Sequence, residues 1–323
     1  MSALITGVGA ALPAQLVTNC RFASLGIDDQ WIVSRTGVRD RYHLKPEEKL
    51  VDLAADAARG ALVDSGIDAA SIDMFIVATS TPDRISPGLA PELAYLLGSE
   101  HAGAIDLNGA CTGFLYALDY AMARVEQGAA DRILVVGAEA MSRITDRSDP
   151  NTAFLFGDGA GAVVVEASGR RVCEHCSQYL SFGSAGEGLN SLFVGRQTQL
   201  ITMDGAEVYI AAVDAMSGEI KNVLLACELE KKDIDYLVCH QANARIVDAV
   251  ARSLDLPKDK ALSYVDLFGN TSSASIPIAL WQAQNEQLLS PGKRVMLAAF
   301  GAGFTWGAGI INWKGCLHKC MMS

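Results

Sequence analysis

Four short stretches of the chain are apolar without interruption: Phe75–Thr79 (FIVAT), Ile133–Gly137 (ILVVG), Tyr236–His240 (YLVCH) and Val295–Phe300 (VMLAAF). Unbroken runs this short predict strands covered on both faces, as in parallel or mixed sheets lying between helices. Val51–Asp64 and Val208–Leu225 instead repeat apolar residues at helical spacing, each ahead of one such run. The opening MSALITGVGAALPAQLV reads as a strand closed by a turn at Pro13.

These elements recur. Ser71–Ala78 resembles Asp233–His240, Asp106–Cys111 resembles Asp266–Thr271, and Asp131–Val136 resembles Lys293–Ala298, all in the same order. A repeat of about 160 residues predicts two α/β halves with one plan: helix, buried strand, strand–turn–helix, buried strand. We place the halves at residues 1–167 and 168–323. Helices between buried strands give a layered α/β architecture.

Composition narrows the classes. The chain has 323 residues, half hydrophobic and a fifth charged, enough for a large core. Its net charge of −11 argues against nucleic acid or an anionic membrane as partner. No apolar run reaches the length of a membrane span, and the N-terminus lacks the basic region of a signal peptide. Eight cysteines in a chain this long are no disulfide framework, so a reducing, cytoplasmic location is expected.

One cysteine stands apart. Cys111 lies in DLNGACTGFL, directly before the amphipathic run FLYALDYAMARVEQ, and so at a helix N-terminus. Unpaired N–H groups there stabilise a thiolate, and an adjacent imidazole lowers the thiol pKa further. Cys111 and Asn270 fall within one position of each other in the two copies, and His240 ends a strand. Sites of open α/β sheets lie at such strand ends. Related halves would bring Cys111, His240 and Asn270 together.

Six stretches carry a family resemblance: WIVSRTGV (Trp31–Val38), GACTGF (Gly109–Phe114), FGDGAGAVVV (Phe156–Val165), HQANARI (His240–Ile246), FGNTSSASIP (Phe268–Pro277) and GAGFTWGAG (Gly301–Gly309). Together, nearly end to end, they resemble the β-ketoacyl-acyl-carrier-protein synthase III enzymes. The resemblance implies a thiolase-like fold, two αβαβ halves forming a five-layered αβαβα sandwich. It implies an acyltransferase that condenses an acyl primer with malonyl-acyl carrier protein in fatty-acid initiation. The primer arrives as acyl-CoA, a substrate, and no cofactor is implied. Cys111 would form the acyl-enzyme, while His240 and Asn270 would stabilise the enolate left by decarboxylation. Backbone N–H groups of the Ala302–Gly303 loop would serve the acyl carbonyl. Trp31, Arg35, Gly205 and Asn243 would contact CoA and its pantetheine arm. Arg245, with Arg252, Lys258 and Lys260, would meet the acidic carrier protein. A homodimer is also implied.

The chain departs from the family pattern twice. Pro150 stands where an arginine often sandwiches adenine, and Arg147 is the nearby replacement; Ala302 stands where glycine is usual. Ser86, in a loop that in the family lines the acyl channel partly across a dimer interface, points to a longer, branched or aromatic primer. The alternative reading is a ketosynthase of alkylquinolone or polyketide type, or an acyltransferase of the same fold, with a specialised primer. Cys173-Glu174-His175-Cys176 and Cys316, His318 and Cys320 hold metal-ligand types, but neither has a zinc spacing, and no metal is expected.

Overall fold

The computed structural model describes residues 2–168 and 178–315; both Cys/His clusters lie outside them. In chain order the elements of the first half are β1 (Ser2–Ala11), β2 (Gln15–Thr18), α1 (Asp29–Thr36), β3 (Asp40–His43), α2 (Leu50–Ser65), β4 (Met74–Ala78), α3 (Leu89–Leu96), β5 (Gly103–Leu107), α4 (Gly113–Glu126), β6 (Arg132–Ala140) and β7 (Asp158–Ser168). The second half follows with β8 (Tyr179–Ser184), β9 (Leu192–Val194), β10 (Ile201–Met203), α5 (Gly205–Ala226), β11 (Tyr236–Cys239), α6 (Ala244–Ser253), β12 (Ala261–Leu262), α7 (Val265–Phe268), α8 (Ser275–Asn285), β13 (Arg294–Gly301) and β14 (Thr305–Asn312).

The two five-stranded sheets are copies of one plan. One runs β1-β7-β6-β4-β5 and the other, reversed, β8-β14-β13-β11-β12. In each, the pairs at the β4 or β11 end are parallel and the rest antiparallel. The continuously apolar runs of the sequence fall on β4, β6, β11 and β13. Their alternate residues face different cores: Ile133 and Val135 of β6 join the central core, Leu134 and Val136 an outer one.

That alternation builds five layers. α2 and α3 cover one face of the first sheet, and α5 and α6 cover the outer face of the second. Between the sheets lie α4 and α8, whose buried residues share a core with β1, β6, β7, β11, β13 and β14. This middle layer packs closely. A Cβ on Gly137 of β6 would come within 2.4 Å of the Ser273 carbonyl oxygen.

The copies differ at the turn that leads to the middle layer. The Asp106-Leu107 pair ends strand β5, but Asp266-Leu267 forms part of the one-turn helix α7. The strand there is the two-residue β12, and two residues past it Gln241 Oε1 accepts the Tyr264 N–H at 2.8 Å. The second copy keeps the strand–turn–helix order, with a shorter strand and α7 set within its turn.

Structural equivalence also shifts the expected pairing of site residues. α4 and α8 are each preceded by a one-turn 3-10 helix, Ala110–Thr112 and Ser272–Ala274. The first residue of each is left-handed, Ala110 with φ 47° and Ser272 with φ 50°. Two residues earlier, Asn108 Oδ1 accepts the Ala110 N–H, and Asn270 Oδ1 accepts the Ser272 N–H. The counterpart of Asn270 is thus Asn108, and that of Cys111 is Ser273. The sequence similarity at the Asp-Leu-x-Gly turns sets the copies out of register.

Candidate active site

Cys111, His240 and Asn270 meet at the inner end of one cavity of about 550 Å³. Its outer residues Arg35 and Arg245 are exposed, whereas His240 and Asn270 are buried. Each side chain is set there by a different device.

Cys111 occupies the 3-10 turn that feeds α4. A Cβ on Gly301 would lie 2.9 Å from the Cys111 nitrogen, so the loop after β13 can press on this turn only as glycine. Ala302 of that loop lines the cavity and lies outside the left-handed region, so its methyl group costs no backbone strain. Gly303 does not line the cavity; its φ of 141° turns the chain into β14.

Burial pushes the Cys111 thiol up to about 12, and the Glu139 carboxyl behind it acts in the same direction. A hydrogen bond from Ser272 and the residue's own N–H lower it without offsetting that loss of solvent. The activated thiolate expected from the helix N-terminus is therefore not the resting form. Desolvation outweighs the helix here.

His240 follows β11 and donates its backbone N–H to Ala298 at 2.7 Å. Burial lowers its pKa to about 4, although the Ser272 backbone raises it, so the ring is neutral near pH 7. A neutral ring cannot lower the thiol pKa as a cation would. Nδ1 lies 2.7 Å from Ser275 Oγ, which accepts the Gln241 N–H at 3.2 Å. The same hydroxyl can give its proton to Nδ1 or accept from it, so Ser275 holds the ring through Nδ1 whichever nitrogen carries the proton.

Asn270 is fixed through its backbone and its amide oxygen. Its N–H donates to Leu155, its carbonyl accepts from Gly157, and Oδ1 accepts the Ser272 N–H at 2.9 Å. With the oxygen engaged, Nδ2 is the donor that the amide has left. This explains the FGDGAG stretch: Phe156 bridges to Asn270, and a Cβ on Gly157 would strike the Phe268 carbonyl at 2.4 Å. Asp158 is buried and takes the N–H groups of Ser142 and Leu44, both at 2.7 Å, anchoring that loop. It does not line the cavity.

At the outer end, the Arg35 guanidinium lies 4.7 Å from the Trp31 ring centroid, and Phe154 meets Trp31 edge-on at 5.4 Å. Asn243 caps α6 by accepting the Ile246 N–H, and Gly205 opens α5; both line the cavity. Arg245 stacks at 5.5 Å on Tyr209 and shares the exposed side of α6 with Arg252. Lys260 donates to the Ile234 carbonyl, and Lys258, 88% exposed, stands 3.9 Å from Asp248.

The single chain does not bring Arg147 to this cavity. Arg147 lines a separate cavity with Arg21 and His43, while Asn151 is the residue of its loop that reaches the catalytic one. The segment containing Ser86 does not line this chain's own cavity, and a place across a dimer interface lies outside a single chain; Ile85 is 96% exposed.

Sequence reasoning missed Ser272, Ser275 and Glu139. Ser272 touches all three candidates: its hydroxyl acts on Cys111, its N–H on Asn270, its backbone on His240. Glu139, fully buried at the end of an apolar strand, was the one signal available. Among the described residues, no cluster of three or more side chains suits a metal ion.

Comparison with known proteins gives the family. Residues 105–181 match the family described as 3-oxoacyl-[acyl-carrier-protein (ACP)] synthase III, and residues 224–313 match its C-terminal part. The β-ketoacyl-[acyl-carrier-protein] synthase III of Thermosynechococcus vestitus is 42% identical, over 96% of this chain and 98% of that protein. The chain belongs to the β-ketoacyl-acyl-carrier-protein synthase III family. Its fold is the thiolase fold, and its class is that of the acyltransferase ketosynthases. The Bradyrhizobium diazoefficiens synthase III is 41% identical over 96% of this chain and 98% of its own. The crystal structure of the Aquifex aeolicus synthase III superposes with a TM-score of 0.92 at 35% identity, covering 96% of this chain and all of that one.

Proposed function

We propose that Cys111 carries the acyl group, while His240 and Asn270 hold the second substrate, in the decarboxylative condensation that initiates fatty-acid chains. The supporting observation is that Ser275 holds His240 through Nδ1 and the Ser272 N–H holds Asn270 through Oδ1; in this reading the ring proton sits on Nε2, and Nε2–H and Nδ2–H serve the substrate. The sulfur of Cys111 attacks the thioester of an acyl-CoA; the carbonyl–sulfur bond to CoA breaks, and the thiol proton leaves with CoA. Malonyl-acyl carrier protein then loses carbon dioxide, and the two N–H donors meet the enolate oxygen as its charge develops. The carbanion attacks the acyl-Cys carbonyl, forming the new carbon–carbon bond and releasing the Cys111 thiolate.

Trp31 and Arg35 supply a ring and a planar cation for the adenine end of CoA, and Gly205 and Asn243 flank the pantetheine arm. Ala302 presents its N–H to the acyl carbonyl, with Gly303 setting the turn. Arg245 and Arg252 form the contact for the acidic carrier. The halves divide at 167/168. No metal or organic cofactor enters, and CoA and carrier-bound substrates place the work in the cytoplasm.

A homodimer is supported by β5. It lies at a sheet edge, and its Ile105 is 47% exposed, with exposed Tyr120 on α4 and Tyr95 on α3. An open strand edge flanked by apolar side chains favours a second copy. A second reading, a priming ketosynthase for a specialised product, is supported by likeness to the priming β-ketosynthase of the R1128 polyketide pathway. That structure is 32% identical, with a TM-score of 0.91, over 97% of this chain and 96% of its own.

Intact-mass analysis after mixing with short, long, branched and aromatic acyl-CoAs tests the assignment. A mass gain of one acyl group that disappears in Cys111→Ala is expected. A gain that persists in that variant sinks the role of Cys111, and the productive primer separates the two readings.

A further inference from the structure

A second cavity, of about 510 Å³, shares Phe156 with the catalytic one and takes no part in the proposed condensation. Its walls come from β2, the 3-10 turn Asn19–Leu25 and the loop after β6. Val17, Phe22, Leu25 and Phe156 make part of it apolar, while Arg21 and Arg147 bring guanidinium groups to it. Both arginines are exposed, and among the described residues neither pairs with a carboxylate.

A third guanidinium lies against the same wall. Arg41 of β3 is fully buried, 5.0 Å from the centroid of the Phe22 ring. It donates to the Val17 and Phe154 carbonyls at 3.2 and 2.8 Å and to Asn19 Oδ1 at 2.7 Å. Its Nε has no partner among the described residues. Asn19 stands between it and Asp29, donating to that carboxylate at 2.8 Å. Burial lowers the Arg41 pKa to about 10, so the charge persists at neutral pH. A buried cation held only by neutral groups leaves a positive field in the wall.

That field is felt at His43, which also lines the cavity. Burial lowers the His43 pKa, and Arg41 and Arg147 lower it further, against Asp158 and the Phe156 carbonyl. Asp158 does not line the cavity, and its oxygens already accept from the Leu44 N–H, the Ser142 N–H and the Ser142 hydroxyl.

We propose that this second cavity binds a small amphipathic anion: a carboxylate or phosphate head between Arg21 and Arg147, and a short apolar body against Val17, Phe22 and Leu25. Guanidinium forks match the oxygens of either head group. The apolar walls and the volume suit an organic anion better than a bare ion. The inference does not depend on which residue is the nucleophile.

Isothermal titration calorimetry at low ionic strength tests it, with octyl phosphate, octanoate, octanol and inorganic phosphate as probes. One equivalent of octyl phosphate or octanoate is expected to bind, and octanol and inorganic phosphate at least about tenfold more weakly. Arg21→Gln and Arg147→Gln are each expected to raise Kd about tenfold, and the double variant to abolish binding. Both side chains are exposed, so these variants should unfold at the parent's temperature. Arg35→Gln, at the mouth of the catalytic cavity, is expected to leave Kd within about twofold. No binding of either amphiphile overturns the proposal, as does binding unchanged in the double variant. Loss in Arg35→Gln would assign the ligand to the catalytic cavity, and inorganic phosphate or octanol binding as tightly as the amphiphiles would also refute it.

Discussion

Nδ1 of His240 lies 2.7 Å from the hydroxyl of Ser275, the first residue of the central helix α8. The pairing makes the helix start a template for the imidazole, which in the proposed reaction works through Nε2–H. Ser275→Ala removes the partner that holds Nδ1. Decarboxylation of malonyl thioester is expected to fall about tenfold or more, with acylation of Cys111 changed far less. Equal loss in both half-reactions would contradict the assignment.

The depressed pKa of His240 has a consequence for stability. Its folded value, about 4, lies below the ordinary 6.5, so between those values the unfolded chain binds the extra proton. Stability from this group is complete above about pH 6.5 and declines as pH falls toward 4. Urea unfolding at pH 7.5 and 5.0 is expected to show a lower midpoint at pH 5.0, by less in His240→Phe. Ring resonances of His240 that titrate near 6.5 would refute this.

Asn270 donates through one amide nitrogen. Asn270→Ala is expected to acylate from acyl-CoA within a few-fold of the parent while malonyl decarboxylation drops about 10²–10³-fold, the usual cost of losing one oxyanion donor. Radiolabelled carbon dioxide release measures the second step alone.

Gly137 admits the Ser273 carbonyl to within 2.4 Å of where a Cβ would stand. Gly137→Ala forces β6 and the Ser272–Ala274 turn apart, at an expected cost of about 1–3 kcal/mol. Thermal unfolding reads the loss, and kcat should fall with it because that turn touches Cys111, His240 and Asn270.

Ile105 is exposed on edge strand β5. Ile105→Lys places a charge on the surface proposed to pair with a second copy, and sedimentation velocity should find monomer where the parent is dimer. A variant that remains dimeric moves the interface elsewhere.

The layering was legible because it rests on local pattern. Unbroken apolar runs mark β4, β6, β11 and β13, and the repeated stretches around Ser71 and Asp233 mark equivalent strands. Cys111, His240 and Asn270 were legible through their motifs. What the sequence hid depends on contact across the fold. The Ser272–Glu139 hydrogen bond spans 133 residues, and nothing near either residue announces it. The thiol pKa depends on burial, which the helix-start pattern does not record. Arg147 looked close to Pro150 along the chain, but its loop turns it into another cavity.

The matching of the two halves has one more implication. In the structural register, Cys111 corresponds to Ser273, His240 to Ala78, and Gly301 to Glu139. The hydrogen bond from Ser273 to the Ala78 carbonyl therefore joins the images of nucleophile and imidazole, with a carboxyl where the catalytic side has a bare glycine. An assembly of two identical subunits would have to carry the same residues at both places. Joined in one chain, the two places are free to differ: one opens on the cavity with the nucleophile, and the other is buried, its hydroxyl bonded within the fold.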